Sequence, residues 1–245
     1  MRLLTLNLNY RVAKHGAWEA RRARIVETAR AAAPDVLVLQ AVEDADGCSQ
    51  AAELAAALDF PYVYFVAAMK EKAHARGSAF LARFPLADLS VRHLTRRREH
   101  EDTSERVLLR VRVDSAEGDF DLYNAHLSWV AEQAMDNVRE LIAFAASAER
   151  PALLLGDLNN TPESAALRSL REAGWIDVWD ALHPGEPGHT FEADQPRVRI
   201  DYALVRPDWR SRIAAIERVT AEGARPRLSD HFGLIVTVRG DARAP

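Results

Sequence analysis

The chain has 245 residues, of which 48% are hydrophobic and 28% are charged, and its formal charge at pH 7 is −4. This composition is typical of a soluble globular protein rather than a disordered or fibrous one, and the acidic balance argues against strong non-specific DNA binding. Cys48 is the only cysteine, which excludes a disulfide framework and a thiolate metal cluster.

The amino-terminal part of the chain predicts strands that alternate with helices. Apolar runs predict strands at 2–9, 36–40, 62–68 and 78–83, and helical spacing predicts helices at 16–33 and 48–58. The run at 36–40 is typical of a strand that is buried on both faces. The polar segment 94–105 predicts a solvated loop, with a substrate-binding arm as the alternative.

The remainder of the chain predicts a hairpin, one long helix and three further strands. The hairpin joins 106–114 to 119–127, the helix covers 130–148, and the strands lie at 152–157, 200–206 and 232–238. Strands outnumber helices and no low-complexity linker divides the chain. We therefore predict a single α/β domain over residues 1–245, with helices outside stacked mixed sheets.

An acid, Asp157, ends the apolar run at 152–157, and an amide, Asn159, follows two residues later. In an extended segment Leu153, Leu155, Asp157 and Asn159 share one face, because strand side chains alternate. A carboxylate there can take a proton from water, and a neighbouring amide can hold that water or a phosphate oxygen. The alternative is an ordinary turn, since Gly, Asp and Asn are all turn formers.

Other polar residues also stand where apolar runs stop. They are Asn7, His126, Asp201, Asp230 and His231. If the strands lie together, these side chains converge at one rim of the sheets. Each also has a structural alternative: a capped turn, a core histidine bonded to a carbonyl, an ion pair with a nearby arginine, or a helix cap.

Taken together and in order, these segments resemble the endonuclease/exonuclease/phosphatase superfamily. This is a group of metal-dependent phosphohydrolases that includes deoxyribonuclease I, apurinic endonucleases, neutral sphingomyelinases and inositol polyphosphate 5-phosphatases. The matching segments are Leu3-Leu4-Thr5-Leu6-Asn7, Pro34-Asp35-Val36-Leu37-Val38-Leu39-Gln40, Asn124-Ala125-His126-Leu127, Gly156-Asp157-Leu158-Asn159, Arg199-Ile200-Asp201-Tyr202 and Ser229-Asp230-His231-Phe232-Gly233-Leu234.

The resemblance implies a four-layer α/β sandwich of two stacked mixed β-sheets flanked by helices. It also implies hydrolysis of a phosphate ester, most typically a phosphodiester, with Mg²⁺ or Mn²⁺. By position, Asn7 and Asp230 would lie near the metal. Oxygen ligands of this kind suit a hard cation.

The resemblance further implies catalytic roles for five residues. Asp157 would orient or deprotonate the attacking water. Asn159 and His126 would hold phosphoryl oxygens, with His126 also assisting the leaving group. His231 would contact the phosphate, while Asp201 fixes its ring and favours the charged imidazole. These roles agree with phosphoryl transfer, which mainly requires in-line positioning and positive charge on the non-bridging oxygens.

The chain departs from the superfamily pattern at position 41. After a Leu-Gln pair such as Leu39-Gln40, the pattern places a glutamate that binds the metal, and this chain has Ala41. A methyl group cannot coordinate a cation, so metal affinity and turnover should fall. Three explanations remain open: a laboratory substitution that silences the enzyme, replacement by Glu43 (otherwise expected at the surface), or a natural protein that binds a phosphorylated ligand without turnover.

The sequence leaves the substrate open among nucleic acid, lipid and small phosphate esters. Arg76, Trp129 and His189 are candidate substrate-binding residues, with a core tryptophan and a surface histidine as alternatives for the last two. No run approaches the ~20 apolar residues of a membrane span, and the amino terminus turns polar at Asn7, too early for a secretory signal. We therefore expect a cytoplasmic protein. We also expect a monomer, because no exposed apolar heptad or edge device in the sequence indicates a partner.

Overall fold

Two mixed β-sheets packed face to face form the centre of the molecule. The computed structural model describes residues 1–146, 150–220 and 225–240. In chain order the strands are β1 (Arg2–Asn7), β2 (Val36–Ala45), β3 (Cys48–Ser49), β4 (Tyr62–Glu71), β5 (His74–Ala82), β6 (Ala87–His93), β7 (Val107–Val113), β8 (Phe120–His126), β9 (Ala152–Asp157), β10 (Ile176–Asp177), β11 (Asp201–Val205), β12 (Ile213–Val219) and β13 (Gly233–Val238).

Helices cover the outer face of each sheet, namely α1 (Trp18–Ala32), α2 (Gln50–Leu58), α3 (Ala131–Ala146) and α4 (Ala165–Glu172). The short helix α5 (Val178–Leu182) instead adds Val178 and Trp179 to the cluster between the sheets, and 3₁₀ turns lie at Ala13–His15 and Pro207–Arg212. Side chains of α1 and α2, such as Ile25 and Leu54, form one buried cluster with the first sheet, and α3 and α4 form another with the second sheet. A third cluster, which includes Val38, Phe80 and Leu122, fills the space between the sheets.

The strand order confirms the predicted four-layer sandwich. The first sheet has seven strands in the order β12-β13-β1-β2-β5-β4, with β3 beside β2, and the second has six in the order β10-β11-β9-β8-β7-β6. Apolar burial between these layers, at roughly 25 cal/mol per Å², is the main force that holds the sheets together. Among the described residues, no helix combines the length and the apolar character needed to cross a membrane.

The strand directions bring the ends of both sheets to one rim. In the first sheet β1 runs parallel to β2 and antiparallel to β13, and in the second β9 runs parallel to β8 and antiparallel to β11. The carboxyl ends of β1, β2, β8 and β9 therefore meet the amino ends of β11 and β13. Beneath this rim, the Gln40 Nε2 donates to Asn124 Oδ1 at 2.8 Å and connects the two sheets.

Several elements differ from the sequence prediction. The predicted helix 130–148 corresponds to α3, which begins at Ala131, and residues 147–148 lie outside the described residues. β6 was not predicted, because five of its seven residues are exposed and no apolar alternation marks it. The segment 94–105 is a loop, as predicted, but Asp102 within it is 2% exposed and anchors it to the second sheet.

Candidate active site

A cavity of about 240 Å³ opens at the rim where both sheets end. Its lining combines acids, amides, histidines, one arginine and three aromatic rings, namely Asn7, Asn9, Tyr10, Ala41, Ser104, Arg106, His126, Trp129, Asp157, Asn159, Phe191, Asp230 and His231. The topology therefore gathers residues from the first strand, from the middle of the chain and from the segment just ahead of the last strand into one pocket.

Asp157, the last residue of β9, lies at the floor of this cavity and is 1% exposed. Its Oδ2 accepts a hydrogen bond from Asn7 Nδ2 and its Oδ1 one from the Asn159 backbone N–H, both at 2.8 Å. Burial raises the pKa of the Asp157 carboxyl to about 6, although the charge of His231 acts in the opposite direction. A carboxyl group with a pKa in this range can exchange protons near neutral pH.

Asp201 and His231 form a buried hydrogen-bonded pair beside Asp157. The backbones of Asp201 and Asp157 face each other across β11 and β9, and His231 Nδ1 lies 2.9 Å from Asp201 Oδ2. Burial lowers the pKa of His231, but the carboxylates of Asp201 and Asp157 outweigh it and raise that pKa to about 10. The imidazole is therefore positively charged at neutral pH, with Nδ1–H donating to Asp201.

His126 occupies the opposite protonation state. Its Nε2 lies 3.5 Å from Asp157 Oδ2. Burial, together with the positive charges of Arg106 and His231, holds the pKa of His126 well below its ordinary value. The neutral imidazole of His126 and the charged imidazole of His231 both lie near the Asp157 carboxylate, which permits different roles for the two histidines.

Arg106 is a cavity residue that the sequence reasoning missed. It is 8% exposed, and its Nη2 donates to Asp102 Oδ2 at 2.9 Å, while Ser128 Oγ donates to the same oxygen at 2.7 Å. Its buried Nε has no hydrogen-bond partner in the part of the chain that the structure describes. An arginine directly ahead of the apolar run of β7 was the available signal, since a guanidinium at a strand end can face a site.

The profile of the Endonuclease/Exonuclease/phosphatase family matches residues 4–231, which is nearly the whole chain. The chain belongs to this family. Its members hydrolyse phosphate esters and typically depend on a divalent metal ion. No curated protein shows significant similarity to the chain.

Solved structures share this fold. An endonuclease/exonuclease/phosphatase from Beutenbergia cavernae is 24% identical with a TM-score of 0.78, over 98% of this chain and 72% of that one. An AP endonuclease from Archaeoglobus fulgidus is 18% identical with a TM-score of 0.71, over 97% and 99%. A mannosyl-6-phosphatase from Bacteroides thetaiotaomicron is 17% identical with a TM-score of 0.73, over 98% and 99%. At these identities the likeness concerns the fold.

Ala41, where this chain departs from the superfamily pattern, lies at the cavity. Ala41 is 2% exposed and adopts a left-handed backbone conformation with φ 49°, where the pairing of β2 with β5 shifts register between Leu39 and Val42. This bulge interrupts the alternation of side chains that the Glu43 alternative assumed. Ala41 nevertheless belongs to the residues that line the cavity.

Two oxygen donors of the cavity could hold a divalent ion in addition to the carboxylate of Asp157. They are the Asp230 carboxylate and the Asn7 amide oxygen, which accepts from the Asn9 backbone N–H at 2.8 Å. Asp230 Oδ1 accepts from Ser229 Oγ at 3.0 Å. One carboxylate and one amide suit a hard ion such as Mg²⁺ or Mn²⁺ that keeps several waters and gains ligands from a substrate phosphate.

Asp157, Asp201 and His231 also offer ligand atoms within 4.8 Å of one another. A metal could join this trio only if His231 lost its proton, since a protonated imidazole has no free lone pair. The raised pKa of His231, caused by Asp201 and Asp157 against the effect of burial, opposes that loss.

Glu43 lies outside the lining of this cavity, in a cluster of positive charges. It is 5% exposed, so the expectation of a surface residue was wrong. Its Oε1 lies 2.6 Å from His74 Nε2 and accepts from Arg76 Nη2 at 3.1 Å, and its Oε2 accepts from the Arg11 backbone N–H at 3.1 Å. Both oxygens already have partners, and this disfavours Glu43 as a metal ligand.

The remaining candidate residues occupy three different places. Asn159 lines the cavity, and its Nδ2 donates to the Leu127 carbonyl at 3.0 Å. Trp129 also lines the cavity and is 52% exposed, so it is not a core tryptophan. Arg76 lines an adjoining cavity, whereas His189 lines a separate cavity of about 350 Å³ together with Arg197 and Arg199.

Proposed function

We propose that this protein is a divalent-metal-dependent phosphodiesterase with its active centre in the cavity at the sheet rim. The observation that carries the proposal is the convergence of Asp157, His126 and the Asp201–His231 pair on one small volume. Separate structural roles for these residues would not require their polar groups to face a common space. Phosphoryl transfer requires such a space, with a proton acceptor on one side and positive charge around the phosphate.

Asp157 is the proposed base. Its carboxylate is oriented by the Asn7 amide and the Asn159 backbone N–H, which leaves it poised to orient or deprotonate a water molecule. A positioned base of this kind contributes roughly 10²–10⁴ to the rate.

His231 is the proposed positive contact for a non-bridging phosphoryl oxygen. Asp201 fixes the ring through Nδ1, so Nε2–H is the nitrogen that faces the cavity. The neutral His126 and the Asn159 amide are proposed to bind further phosphoryl oxygens, and His126 also assists the leaving group. The guanidinium of Arg106 adds a second buried positive charge to the same wall.

Asn7 and Asp230 are the proposed metal ligands. When bound, the ion supplies Lewis-acid polarisation of the phosphate and charge neutralisation. Ala41 provides no ligand where the family pattern has an anionic one, so we propose that the chain with Ala41 binds the metal weakly and turns over slowly. The α-left backbone at Ala41 already carries a Cβ, and a larger side chain therefore adds no new backbone strain.

The rival proposal is a binding protein for a phosphorylated ligand that has lost catalysis. The observation that favours it is Ala41, which places a methyl group among the polar residues that line the cavity. Both proposals expect phosphate compounds to bind in the cavity. They differ in whether restoring a carboxylate at position 41 restores turnover.

The deciding experiment measures hydrolysis of bis-p-nitrophenyl phosphate with Mg²⁺ or Mn²⁺ by the chain as it stands and by Ala41→Glu. We expect Ala41→Glu to raise both the rate and the affinity for the metal. The double variant Ala41→Glu/Asp157→Asn controls for a contaminating hydrolase and should lose the gain. A folded Ala41→Glu protein without turnover would exclude the enzyme and leave the binding protein. DNA, RNA, phospholipid and inositol phosphate substrates then identify the substrate class.

A further inference from the structure

Arg21 lies on the inner face of α1 and is completely buried. It shares this face with Trp18 and Ile25, at the spacing where a helix that covers a sheet normally places apolar side chains. Among the described residues its hydrogen-bond partners are backbone carbonyls rather than carboxylates. Burial of a guanidinium without an anion in contact is costly, so the fold keeps a charge where an apolar side chain would cost less.

The guanidinium of Arg21 joins two segments from opposite ends of the chain. Its Nη1 donates to the Leu8 carbonyl at 2.8 Å and to the Leu228 carbonyl at 3.2 Å, and its Nη2 donates to the Tyr10 carbonyl at 2.5 Å. Leu8 and Tyr10 belong to the loop that follows β1, whereas Leu228 lies ahead of β13. Because the guanidinium is planar and rigid, these three hydrogen bonds fix the position of one segment relative to the other.

Both segments lead directly to the proposed metal ligands. Asn7 immediately precedes Leu8, and Asp230 follows Leu228 by two residues. Asn7 and Asp230 both line the cavity at the sheet rim, so a shift between the two segments would change the distance between their oxygen atoms. Burial lowers the pKa of the Arg21 guanidinium and the Asp230 carboxylate acts in the opposite direction, so the two charges interact.

The loop that follows β1 is strained and depends on its surroundings for its conformation. Asn9 and Tyr10 are consecutive residues in the left-handed region, with φ 50° and 48°. Side chains other than glycine adopt this conformation at a cost, and it persists only where several contacts determine it. The Tyr10 carbonyl accepts from Gln50 Nε2 at 2.8 Å as well as from Arg21, and the Tyr10 backbone N–H donates to the Ala41 carbonyl at 2.8 Å. Arg21 therefore belongs to the set of contacts that keeps this loop in one conformation.

We propose that Arg21 is a positioning residue of the metal site, which holds the segments carrying Asn7 and Asp230 at the separation that the divalent ion requires. This inference rests on the proposed function, because it takes these two residues as metal ligands. A buried positive charge near a cation site also repels the cation, so the two effects of Arg21 on metal affinity have opposite signs. Because the positioning effect dominates, removal of the guanidinium weakens metal binding although it removes a repulsion.

The test measures the Kd for Mn²⁺ by electron paramagnetic resonance of the free ion, on the full chain in the Ala41→Glu background. We expect Arg21→Met to raise this Kd at least about tenfold, as is typical when the groups behind metal ligands are removed. Arg21→Lys keeps the charge but lacks the planar fork, and it should raise the Kd by a smaller factor. Two variants of the same helix serve as controls and should leave the Kd unchanged. Arg24→Met removes an arginine that pairs with Glu27 on the solvent side, and Ile25→Ala removes a buried side chain that contacts neither segment through a hydrogen bond.

A second measurement on the unsubstituted chain keeps the test valid if the Arg21 variants do not fold. Coupling between two sites is reciprocal, so a metal ion that bridges the two segments must also stabilise the hydrogen bonds of Arg21. We expect the exchange rate of the Arg21 guanidinium protons with water, measured by nuclear magnetic resonance, to fall at least about fivefold as Mg²⁺ saturates the protein. The guanidinium protons of Arg24 should exchange at the same rate with and without Mg²⁺.

The possible outcomes separate this inference from the proposed function. If Asp230→Asn weakens Mn²⁺ binding but Arg21→Met leaves it unchanged or strengthens it, the positioning role is wrong and the proposed metal site stands. A rise in Kd for Arg21→Met that Ile25→Ala matches would reduce Arg21 to a contribution to stability and overturn the inference. Saturation with Mg²⁺ without any change in the exchange of the Arg21 protons would also overturn it. If Asp230→Asn does not alter Mn²⁺ binding, the proposed ligands and the role of Arg21 both fail.

Discussion

Asn7 and Asp157 are separated by 150 residues in the sequence, yet Asn7 Nδ2 donates to Asp157 Oδ2 at 2.8 Å. Asn7 ends β1 of the first sheet and Asp157 ends β9 of the second. The hydrogen bond therefore crosses from one sheet to the other at the rim. It also helps to orient the proposed base. The Asn159 backbone N–H donates to the other carboxylate oxygen, Oδ1, so both oxygens of Asp157 are held in place.

Replacement of Asp157 by Asn tests the base. The variant keeps the shape of the side chain but loses the proton acceptor and one of the two oxygens that Asn7 and Asn159 require. In the Ala41→Glu background we expect kcat for bis-p-nitrophenyl phosphate to fall by roughly 10²–10⁴. The binding of inorganic phosphate should persist. The exposed Asp208→Asn serves as the control, and an undiminished kcat in Asp157→Asn would exclude this carboxylate as the base.

Replacement of Asp201 by Asn tests the positive phosphate contact. The amide oxygen of the Asp201→Asn variant could still accept from His231 Nδ1, but the negative charge 2.9 Å from the ring would be gone. The His231 ring would lose the anion that holds it in place, and we expect the Kd for inorganic phosphate to rise about tenfold, which corresponds to about 1.4 kcal/mol. Isothermal calorimetry on the variant and on Asp208→Asn measures this change. An unaltered Kd would contradict the role of the pair in phosphate binding.

The sequence predicted the layers of the fold and the strand ends at which the site residues lie. Alternating and continuous apolar runs are local signals, and polar residues at their ends stay visible in the sequence. Arg106 and Asp102 were not identified, because their positions depend on the polar loop 94–105 folding back against Ser128. Such a tertiary contact has no sequence periodicity.

Glu43 and Ala41 show a second reason why the sequence did not predict the whole site, namely a local irregularity in a strand. The expected alternation along β2 held up to Leu39, after which the bulge changed the relation between neighbouring side chains. A bulge of one residue leaves no clear mark in composition, and the burial of Glu43 depends on His74 and Arg76 from β5. His189 was expected beside the cleft, and the structure places it in the lining of a different cavity.

Asn124 should stabilise the contact between the sheets. It is completely buried, its Nδ2 donates to the carbonyls of Leu39 and Ala79 at 3.0 and 3.1 Å, and its Oδ1 accepts from Gln40. Asn124→Ala would leave buried polar groups without partners, and we expect a loss of about 3 kcal/mol in the free energy of unfolding. Urea unfolding measures it as a lower midpoint at a constant slope.

The control for Asn124 is Gln195→Ala, an exposed position where the change should stay within about 0.5 kcal/mol. If Asn124→Ala is no more destabilising than this control, the hydrogen bonds between the sheets do not contribute to stability in the way the geometry indicates.

The Asp102 carboxyl should make the free energy of unfolding depend on pH. Burial alone would raise the pKa of its carboxyl, but Arg106, the Ser128 hydroxyl and the Ser104 backbone N–H outweigh it and hold that pKa below the ordinary value of 3.8. The folded protein therefore binds this proton less readily than the unfolded chain does. The stabilisation is fully present above the unfolded pKa and is lost as the pH falls through the lower folded pKa.

Asp102→Asn removes this contribution. Arg106 would keep a buried charge without its anion, and we expect a loss of about 3 kcal/mol in the free energy of unfolding at pH 7. The difference from the unsubstituted protein should shrink below pH 3.8, because Asp102 is then increasingly protonated and neutral in both states. Urea unfolding from pH 7 down to the lowest pH at which the protein stays folded measures this convergence. The exposed Asp119→Asn should follow the unsubstituted protein throughout. A difference for Asp102→Asn that stays constant across this range would mean that the pKa of Asp102 is not lowered by folding.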